Sequence, residues 1–255
     1  MSSFFSFKRI RGMAKKTLLL LIICSSFMTV ANANWRFYGS LGAGFHVRQD
    51  TFQSLFSLDG VDDTKKDKKT FKRIGFVSEY ALGTQKNFNA WGLATEVFFN
   101  YNNSERSHEL SEAIFIAGVL NQTPIIKTNQ KKSFGIRGLV QLPVSTCWTL
   151  MAGADLLWTH FNIDLQTLSS TGDDTLSGHK KEYTPGIAPT IGAEFKMNET
   201  LSIRGTYAYQ IHRNIKIRNF VQSSSPDINA AETYIYKATL KPRAHVLKLN
   251  LVIYI

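Results

Sequence analysis

The sequence predicts an all-β protein, a membrane-spanning eight-stranded antiparallel up-and-down β-barrel, and the C-terminal segment carries much of this prediction. Segment 244–255 places leucine and isoleucine side chains on one face and Lys248 and Asn250 on the other, because side chains alternate along a strand with a period of two. This alternation is typical of a strand with lipid outside and a polar lumen inside. Unpaired backbone groups are not tolerated in hydrocarbon, so a terminal membrane strand has to close a barrel.

The N-terminus has the organisation of a secretion signal. A basic segment precedes an apolar stretch at 17–30, which is followed by the small-x-small sequence 31–33. The apolar stretch is shorter than the roughly 20 residues that a transmembrane helix requires. We therefore expect residues 1–33 to be a cleaved signal peptide and residues 34–255 to form a single barrel domain.

Charge and cysteine content narrow the function classes. Loss of the signal would remove five of the 30 basic residues and none of the 19 acidic ones, which lowers the net charge from +11 to +6. Cys147 would be the one remaining cysteine, so no intrachain disulfide can form. The sequence has no glycine-rich phosphate loop, metal-ligand spacing or nucleic-acid signature, and we expect no cofactor, metal ion or nucleic-acid partner. Met1 and Met13 are both compatible with the start of translation.

Alternation recurs along the chain in segments of about 10 to 13 residues, the length of a tilted membrane strand. The eight segments are 35–47, 71–82, 91–101, 133–142, 148–160, 187–196, 201–210 and 244–255. A soluble β-sandwich also alternates. Eight such segments in succession behind a secretion signal favour the membrane barrel.

The connections between these segments alternate in length. The short ones are 83–90, 143–147 and 197–200, and the long polar ones are 48–70, 102–132, 162–183 and 213–243. Outer-membrane barrels have short periplasmic turns and long extracellular loops, so we expect both termini in the periplasm. We also expect 59–69 to be a solvated, mobile loop tip, and 110–120 to form either a short helix or an apolar plug.

Charged residues recur on the faces that would point into the lumen. They are Arg73, Glu79, Glu96, Arg137, Asp155, Glu194, Lys196, Arg204 and Lys248, with Arg36 near the periplasmic rim. The interior of an eight-stranded barrel holds side chains rather than a wide channel, and buried charges there have to pair. Glu96, Arg137 and Asp155 lie on consecutive strands at similar depth, and Glu194 and Arg204 flank one hairpin. The sequence favours a structural ion-pair network over the alternative, a proton or solute pathway.

Basic residues are concentrated in the last long connection. They are Arg213, Lys216, Arg218, Lys237, Lys241 and Arg243. This collar would lie near the outer leaflet, where lipopolysaccharide presents phosphates, and the attraction would depend on salt. The ordinary solubility of a loop explains the same residues equally well.

The aromatic and histidine residues indicate anchoring rather than catalysis. Tryptophans at 35, 91 and 148 and aromatic residues at 99, 101, 158, 207 and 209 fall near the strand ends, where interfacial belts form. His160 would face outward, whereas His46 and His212 would face the lumen. No nucleophile and base share a strand face at close spacing, so we do not expect an enzyme.

The opening sequence 35–44, the four long loops and the terminal strand together resemble small opacity-type and OmpA-transmembrane-domain-like outer-membrane barrels. The resemblance covers residues 34–255. Such barrels usually end in phenylalanine, whereas this chain ends in Ile255, which implies less efficient recognition by the barrel-assembly machinery.

The resemblance implies a monomer in the cell outer membrane, in contact with lipid and lipopolysaccharide, that presents variable loops over a fixed scaffold. The leading function prediction is a non-enzymatic surface protein for adhesion to a host macromolecule or for envelope integrity. The alternative is a narrow, porin-like channel for small or hydrophobic solutes, and a lipid-modifying enzyme ranks third.

Overall fold

The structure is a computed structural model that describes residues 35–58, 61–103, 105–109, 114–116, 120–168, 177–222 and 233–255. The regular elements in these ranges are strands, and no described helix is long and apolar enough to cross a bilayer. The strands are β1 (Trp35–Leu58), β2 (Val61–Asn87), β3 (Gly92–Asn103), β4 (Glu105–Glu109), β5 (Ile114–Ile116), β6 (Leu120–Pro143), β7 (Trp148–Leu168), β8 (Ser177–Lys196), β9 (Leu201–His212), β10 (Ile215–Gln222) and β11 (Thr233–Tyr254).

The strands form a closed antiparallel barrel. Successive wall strands pair with one another, and β11 pairs with β1 to close the wall. Strand β4 continues the line of β3 along β6, and β10 continues the line of β9 along β11, so the eleven elements make eight wall strands with a small β5–β6 hairpin. The predicted eight-stranded antiparallel barrel is confirmed.

The strands are staggered around the barrel. Following directly paired residues around the wall from His46 returns to the same strand at Arg36, a displacement of ten residues. The path passes through Val246, Ala208, Thr190, Gly153, Leu139, Ala94 and Gln85. Such a stagger tilts the strands steeply, and eight tilted strands leave a lumen just wide enough for side chains.

Outward-facing side chains form an apolar band on every wall strand. Examples are Leu41, Leu82, Val97, Ile136, Leu156, Ile191, Tyr207 and Leu249, all substantially exposed. In β9 the exposed and buried positions alternate residue by residue. Exposed Trp91 and Trp148 lie at the edge of the band on the side of the short turns, and Tyr101, Trp158 and Tyr183 lie toward the opposite edge. The band is the feature by which a barrel matches the bilayer.

The strands continue well past this band on the side of the long connections. The predicted loops 48–70, 162–183 and 213–243 are largely strand, which corrects the predicted boundaries. In particular, β2 begins at Val61 and pairs with β1, so the described residues 61–69 of the predicted tip at 59–69 are strand rather than loop, and their mobility stays a prediction. Outside the hydrocarbon, outward side chains no longer need to be apolar, so the alternation that signals a membrane strand fades there.

The second long connection, 102–132, also differs from its prediction. It contains the end of β3, then β4, β5 and the start of β6. Residues 114–116 and 120 are strand rather than the helix that was one of the two predictions, while 110–113 and 117–119 lie outside the described residues.

The buried core lies inside the barrel in successive layers. At the short-turn end, Tyr38 packs with Val252 and Tyr254. At the other end lies an apolar cluster of Phe52, Phe161, Ile163, Ile215, Ile217, Ala238 and Leu240. Gly135 leaves room for the ring of Phe98, since a Cβ at that position would lie 2.6 Å from Phe98 Cζ.

Candidate functional site: the closed lumen and the basic rim

Arg137 on β6 is the centre of an ion network that crosses the lumen. Its guanidinium contacts Asp155 at 2.9 Å, Glu96 at 2.7 Å and Glu79 at 3.0 Å, and the Arg137 side chain is fully buried. Glu96 and Asp155 are its direct cross-strand neighbours on β3 and β7. Glu79 comes from β2, one strand further away. The planar guanidinium fork can serve several acceptors at once, which a lysine ammonium does less well.

Arg204 on β9 extends the network toward the short-turn end. It contacts Glu194 at 2.7 Å and is also paired with Glu96. The Tyr38 hydroxyl donates to Glu96 at 2.8 Å, and the Tyr254 hydroxyl donates to Glu194. Arg204 also lies over the Tyr38 ring at 5.0 Å.

Lys248 on β11 completes the network on the other side of the barrel. Its ammonium pairs with Glu79, whose second carboxylate oxygen accepts a 2.7 Å hydrogen bond from Asn250. The Thr190 hydroxyl donates to Asp155 at 3.0 Å. We call Glu79, Glu96, Arg137, Asp155, Glu194, Arg204 and Lys248 the central ion network.

The central ion network is buried inside the barrel. Its members are at most 6% exposed, and Phe98 packs against it with Arg137 at 4.8 Å from the ring centroid. Four carboxylates face three cations, and the tyrosine hydroxyls of Tyr38 and Tyr254 supply further donors to the excess negative charge. Buried charges of this kind are costly to disrupt, because removing a central partner such as Arg137 leaves Asp155 without a cation among its described ion pairs.

Three of the sequence-selected lumen residues lie apart from this network. Arg73 is buried further along the barrel and donates to the Thr128 carbonyl at 3.0 Å. Lys196 is exposed at the short-turn mouth. Arg36, at the same mouth, donates to the Glu199 carbonyl at 2.6 Å and lies over the Tyr254 ring.

Sequence reasoning missed a second buried pair in the part of the lumen beyond the apolar band. Arg48 and Asp50, on one face of β1, contact each other at 2.6 Å, and Arg48 lies 5.0 Å from the Phe161 ring centroid. The alternation of β1 continued past Val47 would have found them, had the strand been extended.

The short-turn mouth contains a cavity of about 180 Å³. Gln85, Gln141, Glu194, Ser202 and Tyr254 are among the polar residues that line it. The buried hydroxyl of Ser202 has no hydrogen-bond partner in the described part of the chain. Glu194 is the member of the central ion network that lines this cavity.

The basic residues near the last connection lie on the outside of the barrel, just beyond the apolar band. Arg213, Lys216 and Arg243 are exposed and Lys241 is partly exposed, and we call these four the basic rim. Arg218 lies on β10 opposite Lys237, but its side chain is outside the described residues. Sequence reasoning did not select Lys72, Lys131, Lys132 and Lys181, which are also exposed near the same edge.

The histidines with described side chains lie apart from one another. His46 and His212 are buried in the lumen, and His160 packs on the Tyr183 ring. His245 shares a 2.7 Å hydrogen bond with the Tyr207 hydroxyl on the outer surface. Within the described ranges, no serine, threonine or cysteine is hydrogen-bonded to a histidine, and no three His, Cys, Asp or Glu residues are grouped as a metal site.

Comparison with known proteins identifies the class of the fold. No family model and no curated protein matches the chain. Among solved structures, the outer membrane protease OmpT from Escherichia coli aligns with a TM-score of 0.50 and 8% identity over 86% of this chain and 97% of that one. The outer membrane protein OprG from Pseudomonas aeruginosa aligns with a TM-score of 0.41 and 12% identity over 87% and 98%, and neisserial surface protein A with 0.37 and 13% over 83% and 97%.

The OmpT alignment supports a similar fold, and at 8% identity it supports no conclusion about activity. The chain therefore has the fold of an outer-membrane β-barrel. The narrower opacity-type assignment stays a prediction.

Proposed function

We propose that this chain is a non-enzymatic surface protein of the cell outer membrane, a closed barrel that holds a binding surface above the lipid. The observation that carries the proposal is the combination of a buried central ion network inside the barrel with strands that continue beyond the apolar band. A barrel built for conduction would not need to bury seven paired charges in its lumen. The extensions are instead suited to presenting loops to large partners.

The proposed orientation places both termini and the short turns in the periplasm, after removal of residues 1–33. The basic rim then meets the phosphates of lipopolysaccharide in the outer leaflet. Exposed Arg213, Lys216 and Arg243 match that surface in charge, and the attraction would weaken with salt. Host-surface macromolecules would engage the tips beyond the rim.

A channel for small solutes is the second candidate, and one observation favours it. Buried polar atoms of Ser133, Thr159, Gln210 and His212, on the far side of the central ion network, have no hydrogen-bond partner in the described residues. Such groups usually find water or a polar ligand. A lumen that opened on this side would be hydrophilic.

The proposal is tested with cells that produce the full chain and cells that produce a shortened barrel. Thr51 and Thr70 are directly paired, so a two-residue turn can replace 52–69 without changing the register. We expect cells with the full chain to adhere to host-cell monolayers and the shortened barrel to fold but adhere less. Adhesion no greater than that of cells without the protein, for both forms, would overturn the proposal.

A further inference from the structure

The barrel wall contains a seam where β8 and β10 face each other without a backbone ladder. Strand β8 pairs with β9 only from Gly186 to Lys196, and β10 pairs with β11. Within the described residues, no ladder joins 177–184 to 215–222. We call these two segments the β8–β10 seam.

The local sequence explains where the seam begins. Arg213 and Asn214 add one residue to the β9–β10 line relative to β11, since Ile211 pairs with Arg243 but Ile215 pairs with Leu240. A bulge of this kind bends the strand that carries it. The last backbone contact before the seam is the Arg213 N–H to the Pro185 carbonyl at 2.9 Å.

A lysine side chain spans the seam. The Lys180 ammonium donates to the Lys216 carbonyl at 2.5 Å and is paired with Glu182 at 2.8 Å. Its four-carbon stem therefore lies between two backbones that would be about 4.8 Å apart if they were paired. Insertion of a single strand requires roughly twice that spacing, about 9.6 Å, so the two strands have to separate to that distance when a strand enters.

The two faces of the seam differ in chemistry. On the lumen side, Ile215 and Ile217 are buried in the apolar cluster that also contains Phe161. On the outer side, Lys181 and Lys216 are exposed. A strand lying in the seam would therefore meet the apolar side chains of β10 and the Lys180–Glu182 pair of β8 inside, and cations outside.

We propose that the β8–β10 seam is a docking site for an extended segment of another protein, added as a strand and carrying alternating apolar and acidic side chains. The apolar side chains would pack toward Ile215 and Ile217, and the acidic ones would face Lys181 and Lys216. Strand addition takes affinity from main-chain hydrogen bonds and specificity from alternate side chains. Lysine at an unpaired edge guards it against unselective pairing, and Lys180 is the group that the incoming strand displaces.

The seam lies where a large partner would find it. Tyr183, within the β8 segment of the seam, and Ile211, four residues before β10, are the last described outward apolar side chains on β8 and β9, so the seam lies at the outer edge of the apolar band. The inference rests on the proposed function, because it names the kind of partner that the extracellular extensions would bind.

The test uses the mature chain refolded in detergent and three labelled, end-capped eight-residue peptides. One alternates glutamate with valine, one alternates lysine with valine, and one is the glutamate peptide with a central proline. We expect the glutamate peptide to bind about tenfold more tightly than the lysine peptide, because Lys181 and Lys216 attract the glutamates and repel the lysines. The proline peptide should bind weakly, because proline removes a ladder donor. Hydrogen exchange should slow at 177–184 and 215–222 when the glutamate peptide is bound.

Two variants test whether the peptide binds at the β8–β10 seam. Lys180→Ala should tighten binding by about fivefold, since the hydrogen bond that closes the seam no longer has to be broken. Lys181→Glu combined with Lys216→Glu should reverse the preference to the lysine peptide. The matched control, Lys72→Glu with Lys132→Glu, changes the same charges away from the seam and should leave the preference unchanged.

Three results would overturn the inference. The glutamate and proline peptides bind equally, the two double variants have equal effects, or the peptide slows hydrogen exchange only in strands other than β8 and β10. Its failure is distinguishable from failure of the proposed function. Cells that carry Lys181→Glu with Lys216→Glu and still adhere like wild type would contradict the seam alone, whereas absence of adhesion by wild-type cells would contradict the proposed function.

Discussion

Replacing Arg137 with alanine should lower the free energy of unfolding by about 3–5 kcal/mol, the usual cost of breaking a buried charged pair from one side. Three carboxylates would lose their shared cation, but unequally. Glu96 would keep Arg204, and Glu79 would keep Lys248. Asp155 would keep only the Thr190 hydroxyl among its described hydrogen bonds and ion pairs, so most of the cost arises there.

Because most of the lost stability is assigned to Asp155, a double variant tests the prediction more directly. Arg137→Ala combined with Asp155→Ala should be less destabilising than Arg137→Ala alone, because the stranded carboxylate is removed together with its partner. Arg137→Lys should be intermediate, since it keeps the charge but not the fork that serves three acceptors. Arg243→Ala is the matched control: its side chain is exposed, and such changes usually stay within about 0.5 kcal/mol.

Urea unfolding in detergent, followed by the heat-modifiable migration of the folded barrel on gels, measures these differences. The reasoning is refuted if Arg137→Ala unfolds at the same urea concentration as Arg243→Ala. It is also refuted if the double variant loses more stability than the sum of its two single changes.

Three further predictions concern processing, topology and the basic rim. N-terminal sequencing of envelope-purified protein should begin at Asn34, and a start at or before residue 17 would contradict cleavage of a signal peptide. In a Cys147→Ser background, a cysteine at Lys65 should label on intact cells and one at Glu199 should not; the opposite pattern would invert the topology. Arg243→Glu should weaken the salt-dependent binding of lipopolysaccharide in detergent titrations, and unchanged binding at low salt would remove Arg243 from the lipid contact.

The membrane part of the fold could be predicted from the sequence because apolar and polar side chains alternate along each of its strands with a period of two. In each wall strand the lipid selects apolar side chains outside, so segments such as 201–210 stand out against their neighbours. Beyond the band β1 carries polar residues on both faces, with Gln49 and Thr51 outside and Arg48 and Asp50 inside, so the contrast between an apolar and a polar face that marks the membrane segments is lost. The strand extensions were therefore read as loops.

The central ion network was predictable only in part. Glu96, Arg137 and Asp155 share a face at similar positions on neighbouring strands, which alternation alone reveals. That Glu79 meets both Arg137 and Lys248 depends on the ten-residue stagger of the barrel, which no local pattern encodes. The β8–β10 seam depends on a one-residue bulge, which no local sequence pattern predicts either.

Conductance of the refolded mature chain in a planar bilayer tests the central claim most directly. The proposed function requires the central ion network to close the lumen, so the wild-type protein should show no steady ionic current, while Arg137→Ala should destabilise the barrel without creating a stable open level. A steady current through the wild-type protein would contradict the account of a closed surface barrel. A current that appears only in Arg137→Ala, with wild-type stability, would make Arg137 the gate of a solute pathway.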